Sequence, residues 1–257
     1  NPLTAELIFD YGIGKGDIEL SKTDIEFNKY EIGFKFPYLN IYYDSFFMSQ
    51  FGYIGFKSPD FYINIYRSMM TSKFGNGSIF YQSYVNRPSE LENMKELIEA
   101  QFGDRYGVRF IPTNAFVLTW FNIRSLDKAI NSTVSFQIIS ISDEFRSFVI
   151  FSYGDLGFPC SEINLRHTTN YESLESFLSS NKFDSINQFS NVNQSGVFIF
   201  EVNANFVCDK AELYQDQNLY CTLLSNQSEI FKLEIKFCEI SYTHESNGKN
   251  TRFFVVY

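Results

Sequence analysis

Apolar residues along the chain come in short runs broken by Gly, Pro, Asn or Asp, and most of these runs read as strands. The first group spans 30–36, 46–50, 53–57 and 61–67, with Phe36-Pro37-Tyr38 breaking the first run and Gly52 and Gly55 puncturing the next pair. Strand-sized runs recurring at roughly 8–12-residue spacing with turn residues between them signal an all-β sandwich or barrel. The most apolar stretch follows at 108–111, 114–121, 134–141 and 145–153. Its last two runs flank Ser142-Asp143-Glu144 and predict a hairpin. In the first arm Val134, Phe136 and Ile138 alternate with Ser135 and Gln137, a period of two. Residues 197–202, entered through Gly196, predict a further strand.

Near the C-terminal end, 231–237 alternates strictly, which wets one face, and 252–257 reads as a last strand. Between them lies a polar turn at 245–250 containing Asn247-Gly248, so the two are expected to pair as a hairpin. At the other end, 6–11 reads as a strand or extended arm running into Gly12-Ile13-Gly14-Lys15-Gly16-Asp17, an irregular loop. Only two segments carry a helical period. Ser89-x-x-Glu92 resembles a capping box, and Leu91, Met94, Ile98 and Phe102 recur at three- or four-residue steps before Gly103. Thr169-x-x-Glu172 with Leu174, Phe177 and Leu178 predicts a second, shorter helix. The expected fold is therefore mainly β: an antiparallel β-sandwich with one clear helix and one short peripheral helix. A change of character at Cys208 suggests a β domain over 1–207 and a C-terminal β extension, or the start of a second module, over 208–257.

Composition sharpens this picture. Aromatic residues make up 19% of the 257 residues, including 30 Phe and 17 Tyr, and such residues favour half-buried pleated surfaces. The formal charge of −9 with no dense Lys/Arg cluster argues against nucleic acid as a partner. No run approaches the ~20 apolar residues that span a bilayer, so no membrane insertion is expected within this segment. The chain opens at Asn1-Pro2, which reads as a mature or excised segment and leaves secretion open.

Four cysteines, Cys160, Cys208, Cys221 and Cys238, sit at wide spacing. They fit two disulfides whose pairing the sequence leaves open, against the alternative of four buried thiols. The spacing is too wide for the close pairs of a zinc site. Sequons at Asn76, Asn131, Asn193 and Asn226 permit N-glycosylation in turn-like contexts.

Catalytic chemistry finds little footing. His167 and His244 are the only histidines, both in polar surroundings read as loops and without metal-ligand spacing. No G-x-S-x-G elbow occurs. The Asp143-Glu144 pair sits where a turn wants such residues. Asp10, Asp17 and Asp24 lie seven apart without forming an EF-type loop. The glycine loop lacks the third glycine of a dinucleotide fingerprint and the Gly-Lys-Ser/Thr of a P-loop. No enzyme activity, cofactor or metal is expected. Trp120, after the apolar 116–118, is read as a core or sheet-edge residue ahead of a binding anchor. The tyrosine runs 38–43 and 62–66 are the better candidates for a protein-facing patch.

The order of segments resembles one known family. Phe9-Asp10-Tyr11-Gly12 with Gly16-Asp17 resembles the start of the nidogen-type extracellular (NIDO) domain, and Phe34-Lys35-Phe36-Pro37-Tyr38 resembles its FPF-type strand end. Phe51-Gly52-Tyr53-Ile54-Gly55-Phe56 is similar to its NG-x-I-x-F strand, with Phe51 in place of Asn. Phe116-Val117-Leu118-Thr119-Trp120, Ser135-Phe136-Gln137-Ile138-Ile139 and the run from Phe148 through Tyr153 to Asp155 resemble its V-x-T-W, F-Q-x-V-L and F-I-x-x-Y blocks in order. Ser190-Asn191, then Gly196-Val197-Phe198, resembles the closing block. The resemblance spans roughly 6–205, is poor around 62–83, and is absent from 206–257. It implies a secreted protein, or the ectodomain of a membrane protein, acting as an extracellular matrix or cell-adhesion module through protein–protein binding. The partner implied is an extracellular matrix or cell-surface protein. Two other classes stay open: a carbohydrate-binding, lectin-like module, since aromatic faces also stack on sugars, and a hydrolase with a dispersed site.

Overall fold

The computed structural model describes residues 6–20, 28–38, 41–56, 62–73, 75–102, 110–144, 146–166, 171–172 and 185–204, with strand segments at 208–213, 219–223, 230–233, 242–246 and 249–253. In chain order the strands are β1 (Ile18–Glu19), β2 (Asn28–Tyr38), β3 (Ile41–Ser49), β4 (Tyr53–Gly55), β5 (Tyr62–Arg67), β6 (Met70–Thr71) and β7 (Ser78–Val85). Helix α1 (Glu92–Phe102) follows, then β8 (Asn114–Ser125), β9 (Thr133–Ser142), β10 (Arg146–Leu156), β11 (Glu162–Arg166), β12 (Tyr171–Glu172) and β13 (Val197–Ala204). A seven-stranded antiparallel sheet has the order β1-β7-β8-β9-β10-β13, with β6 also on β8. A six-stranded antiparallel sheet has the order β12-β11-β5-β4-β3-β2. The expected mainly β architecture with one clear helix is what forms.

The two sheets share one aromatic core. Phe46 of β3 stacks on Phe116 of β8 at 5.0 Å between ring centroids, and Phe36 meets Phe116 edge-on at 5.4 Å. Tyr66 of β5 packs on Phe136 of β9 at 5.4 Å, and Phe136 stacks on Trp120 at 5.0 Å. Offset and edge-on pairs of this kind add to the area burial of each ring. Hydroxyls of the larger sheet bridge the layers: Tyr81 donates to the Glu31 carbonyl at 2.7 Å and Tyr153 to the Ile65 carbonyl at 2.7 Å. Ser147 donates likewise to the Pro37 carbonyl.

The larger sheet is buried on both faces, which explains why β8, β9 and β10 read as near-continuous apolar runs. Phe116, Leu118, Trp120, Phe136, Ile138, Val149 and Phe151 point to the inter-sheet core. Ala115, Val117, Ile139, Ile141, Phe148 and Ile150 point outward to a second core capped by Met94 and Ile98 of α1. Beyond the helix, residues 8–9 cross the same outer face.

Several expectations change. Pro37 does not end β2, which runs on to Tyr38 because it is an edge strand and a missing N–H costs no ladder bond there. Phe110 to Thr113 is an extended link outside the ladders. Strand β7 was not legible, because Ser83 follows Ile79 and Tyr81 on the face toward the main core, while Ser78 and Gln82 dilute the opposite face that carries Tyr84. A 3-10 turn at Pro88–Glu90 precedes α1, so Ser89 sits within that turn instead of capping the helix. Gly103 lies outside the described residues, as do 173–184, where most of the second expected helix falls; Tyr171–Glu172 pairs with β11 as a strand.

In the C-terminal region, β14 (Cys208–Leu213), β15 (Leu219–Leu223) and β16 (Ile230–Leu233) form an antiparallel sheet, and β17 (Tyr242–Ser246) pairs with β18 (Lys249–Phe253). The described part of the run expected at 231–237, Phe231 to Leu233, therefore pairs with 219–221, while the last strand pairs with β17; 234–237 lie outside the described residues. The hairpin enclosing Asn247-Gly248 is built from 242–246 and 249–253.

Candidate functional site

A bulge in β2 borders a shallow surface depression. Glu31 pairs with Ser45 and Phe36 with Tyr43, so five steps along β2 oppose two along β3. Gly33 sits in the excess loop at φ 86, a conformation that side chains disfavour. Bulges re-aim side chains, and they recur at sheet edges and beside functional sites. Here the extra residues open a shallow depression of about 420 Å³ lined by Lys29, Lys35, Ile41, Tyr42, Tyr43 and Phe47, with Asp44 at its side.

Ile41 is 50% exposed and Tyr42 48%, both large for apolar or aromatic groups. Tyr43 is half-buried and stacks on Phe56 at 5.1 Å. Burial pushes the Tyr43 hydroxyl pKa up. Lys29 pairs with Glu31 at 3.1 Å on the rim, so the patch carries both signs of charge around an aromatic centre. Rigid aromatic groups ringed by polar ones have the composition of a protein-binding surface. Of the two tyrosine runs expected to face a partner, the first contributes Tyr42 and Tyr43, while Tyr38 is buried. In the second, Tyr66 is fully buried and donates to the Phe158 carbonyl.

Of the candidate chemical groups, the carboxylates of Asp10, Asp17 and Asp143 are engaged structurally. The Asp143 carboxylate accepts from the Arg146 backbone N–H at 2.6 Å and from its guanidinium at 3.1 and 3.2 Å. Glu144 holds φ 77 in the β9–β10 turn, as the turn reading expects. Arg146 also lies 5.2 Å over the Phe110 ring. Asp10 pairs with Lys15 at 2.6 Å, and Asp17 accepts the Gly12 N–H at 2.6 Å. Burial raises the Asp17 pKa against that hydrogen bond, which lowers it. Asp24 and His167 lie outside the described residues. His244 stands in β17 opposite Thr251, in a strand and not a loop, because the ladder continues past it to Ser246 opposite Lys249. Trp120 is fully buried, a core residue.

Three of the four sequon asparagines are described, and all three are exposed. Asn76 lies in the turn before β7, Asn131 in the loop before β9 beside Arg124 (3.4 Å), and Asn193 in the turn before β13 at φ 57. The ladders put these turns at one end of the larger sheet: Arg124 pairs with Thr133, Leu156 with Val134, and Ser152 with both Gln137 and Val197. Tyr42 is at the other end, its hydroxyl 3.5 Å from the Glu144 carbonyl. Asn226 lies outside the described residues. Cys160 is half-buried and packs on the main core. Cys208 and Cys221 lie on the paired strands β14 and β15, where Cys208 is opposite Leu223 and Cys221 opposite Ala211. Their side chains, and Cys238, are outside the described residues.

Sequence reasoning missed Ile41, Lys29 and Lys35 as parts of one surface. The usable signal was Gly33 inside an otherwise strand-like run. It also missed the row formed by Thr119, Gln137 and Ser152, one polar residue in each of three neighbouring apolar strands, which the ladders align.

A family model described as the nidogen-like domain matches residues 33–204, about two thirds of the chain, starting later than the resemblance read from residue 6. No curated protein and no solved structure matches the chain.

Proposed function

The chain belongs to the nidogen-like domain family, and from that premise we propose that it is an extracellular matrix or cell-adhesion module that binds another protein through the aromatic surface at the β2 bulge. The family is an extracellular type of non-catalytic module. Among the described residues no helix is long and apolar enough to cross a membrane. The observation that carries the reading is the exposure of Ile41 and Tyr42 beside the bulge depression. In the same reading the sequons at Asn76, Asn131, Asn193 and Asn226 carry glycans, and the three described ones leave the aromatic end uncovered. Cys160, Cys208, Cys221 and Cys238 form two disulfides, the module boundary falls at 207/208, and the protein is not an enzyme.

Arrays of extracellular proteins and of glycans, probed with the full chain and with its Tyr42→Ala variant, test this. Binding to a protein feature that weakens roughly tenfold or more in the variant is expected, since buried Tyr anchors contribute about 2 kcal/mol or more. Binding confined to glycans would replace it with the lectin reading.

A further inference from the structure

The outer face of the larger sheet carries a built polar site that the bulge surface does not use. Thr119, Gln137 and Ser152 are cross-strand neighbours on β8, β9 and β10. All three are buried, and Gln137 fully so. The Gln137 amide donates to the Thr119 hydroxyl at 2.8 Å and to the Phe9 carbonyl at 2.9 Å, while its oxygen accepts the Phe9 N–H at 3.2 Å. The Ser152 hydroxyl accepts the Ile8 N–H at 3.2 Å. These bonds go to main-chain groups, so the row recognises extended backbone. Side chains add the register: Phe9 meets Tyr84 edge-on at 5.2 Å, and Tyr11 packs near Phe121 at 5.1 Å.

We propose that this row is a docking site for an extended polypeptide segment, and that in an assembled state it holds residues 6–12 of a second copy of the chain. The occupant is specified by the fit itself, since the main chain of this segment pairs with both Gln137 and Ser152 while Thr119 holds the Gln137 amide in place. The same bonds form when the segment comes from another copy, which makes exchange a low-cost route to association. The segment is also releasable. Ile8 and Phe9 are only half-buried, and its flank is the exposed 3-10 turn Ile13–Lys15. Gly12 holds φ 101 and is tied to the turn behind it, its N–H donating to Asp17 at 2.6 Å and its carbonyl accepting from Lys15 at 2.8 Å, so that turn is the anchor from which the segment would exchange. The Asp10–Lys15 pair across that turn is exposed and holds the segment weakly. A tethered segment competes at an effective concentration on the order of 1 mM, so exchange emerges as the chain nears that concentration, as it does when anchored densely.

The test uses the full chain with Phe9 replaced by p-benzoylphenylalanine, as an equal mixture of ¹⁴N and ¹⁵N copies. Photocrosslinking should join the segment to peptides of β9 or β10. The share of mixed-isotope links should rise severalfold between about 0.1 and about 1 mM. Excess free peptide of sequence 6–12 should suppress it, and the same peptide N-methylated at Phe9, which lacks the donor for Gln137, should not. A second measurement mixes a Phe9→Ala chain with a Gln137→Leu chain. Native mass spectrometry should show a mixed dimer more abundant than either homodimer, because only that pair combines an intact segment with an intact site. Links that stay same-isotope at every concentration overturn the proposal, whether or not the Gln137→Leu chain folds. So does free-peptide binding without any mixed-isotope link.

Discussion

Asn191 gives the sharpest energetic test of how this sandwich protects its open edge. Strand β13 is the last strand of the larger sheet among the described residues, none of which forms a strand beside the N–H and C=O groups along its outer side. The Asn191 side chain takes that place: its amide donates to the Ile199 carbonyl at 2.9 Å and its oxygen accepts the Ile199 N–H at 2.9 Å. Ser190 donates beside it to the Val197 carbonyl at 2.8 Å. Replacing Asn191 with Ala removes both of its bonds at once. Each contributes about 1 kcal/mol, so the loss is about 2 kcal/mol, and more if water does not reach the freed groups. For a chain of this size that lowers the melting temperature by roughly 4–8 °C. Asn191→Asp keeps the acceptor but sets a carboxylate oxygen against the Ile199 carbonyl, so it should cost nearly as much. Denaturant titration gives the free energy, and size-exclusion chromatography should show new self-association through the bared edge. A loss under about 0.5 kcal/mol for Asn191→Ala, with the chain still monodisperse, would refute the edge-cover role.

Other outcomes follow from the same geometry. Phe136→Ala, which removes the ring between Trp120 and Tyr66, should cost about 3–5 kcal/mol in denaturant titration. Ile41→Asp and Tyr42→Ala should each stay within about 0.5 kcal/mol of wild type, because both side chains are half exposed and outside the core. Burial pushes the Tyr81 hydroxyl up to about 12, with the Ser83 hydrogen bond opposing and Glu31 adding to it; burial likewise raises Tyr153. A raised folded-state pKa favours the protonated form in the fold. Its contribution is therefore complete below the unfolded value near 10 and is lost as pH rises from about 10 to 12. Melting curves should fall across that window, and Tyr81→Phe should flatten the fall. Mass measurement with alkylation before and after reduction should find no free thiol in the folded chain; four alkylatable thiols would remove the disulfide claim.

The sequence was most legible where one physical cause acted alone. The hairpin at Asp143-Glu144 and helix α1 each showed a clean period or turn chemistry. Strand β7 was hidden because its two faces meet different surroundings, so Ser78, Gln82 and Ser83 broke the pattern. Pro37 misled because local propensity does not reveal that a strand lies at an edge. The bulge surface needed tertiary information: nothing local places Lys29 and Lys35 beside Tyr42 until Gly33 throws three residues out of register. The quoted family blocks contained Thr119 and Gln137, yet only the aligned ladders turn those residues into one row beneath Phe9.

A saturation isotherm on immobilised cell-derived matrix, comparing the full chain with Tyr42→Ala and Ile41→Asp, probes the adhesive role most directly. Saturable binding that both substitutions weaken by roughly tenfold, and that survives enzymatic removal of the matrix glycans, is the predicted result. Binding indifferent to both substitutions, or abolished with the glycans, would contradict it.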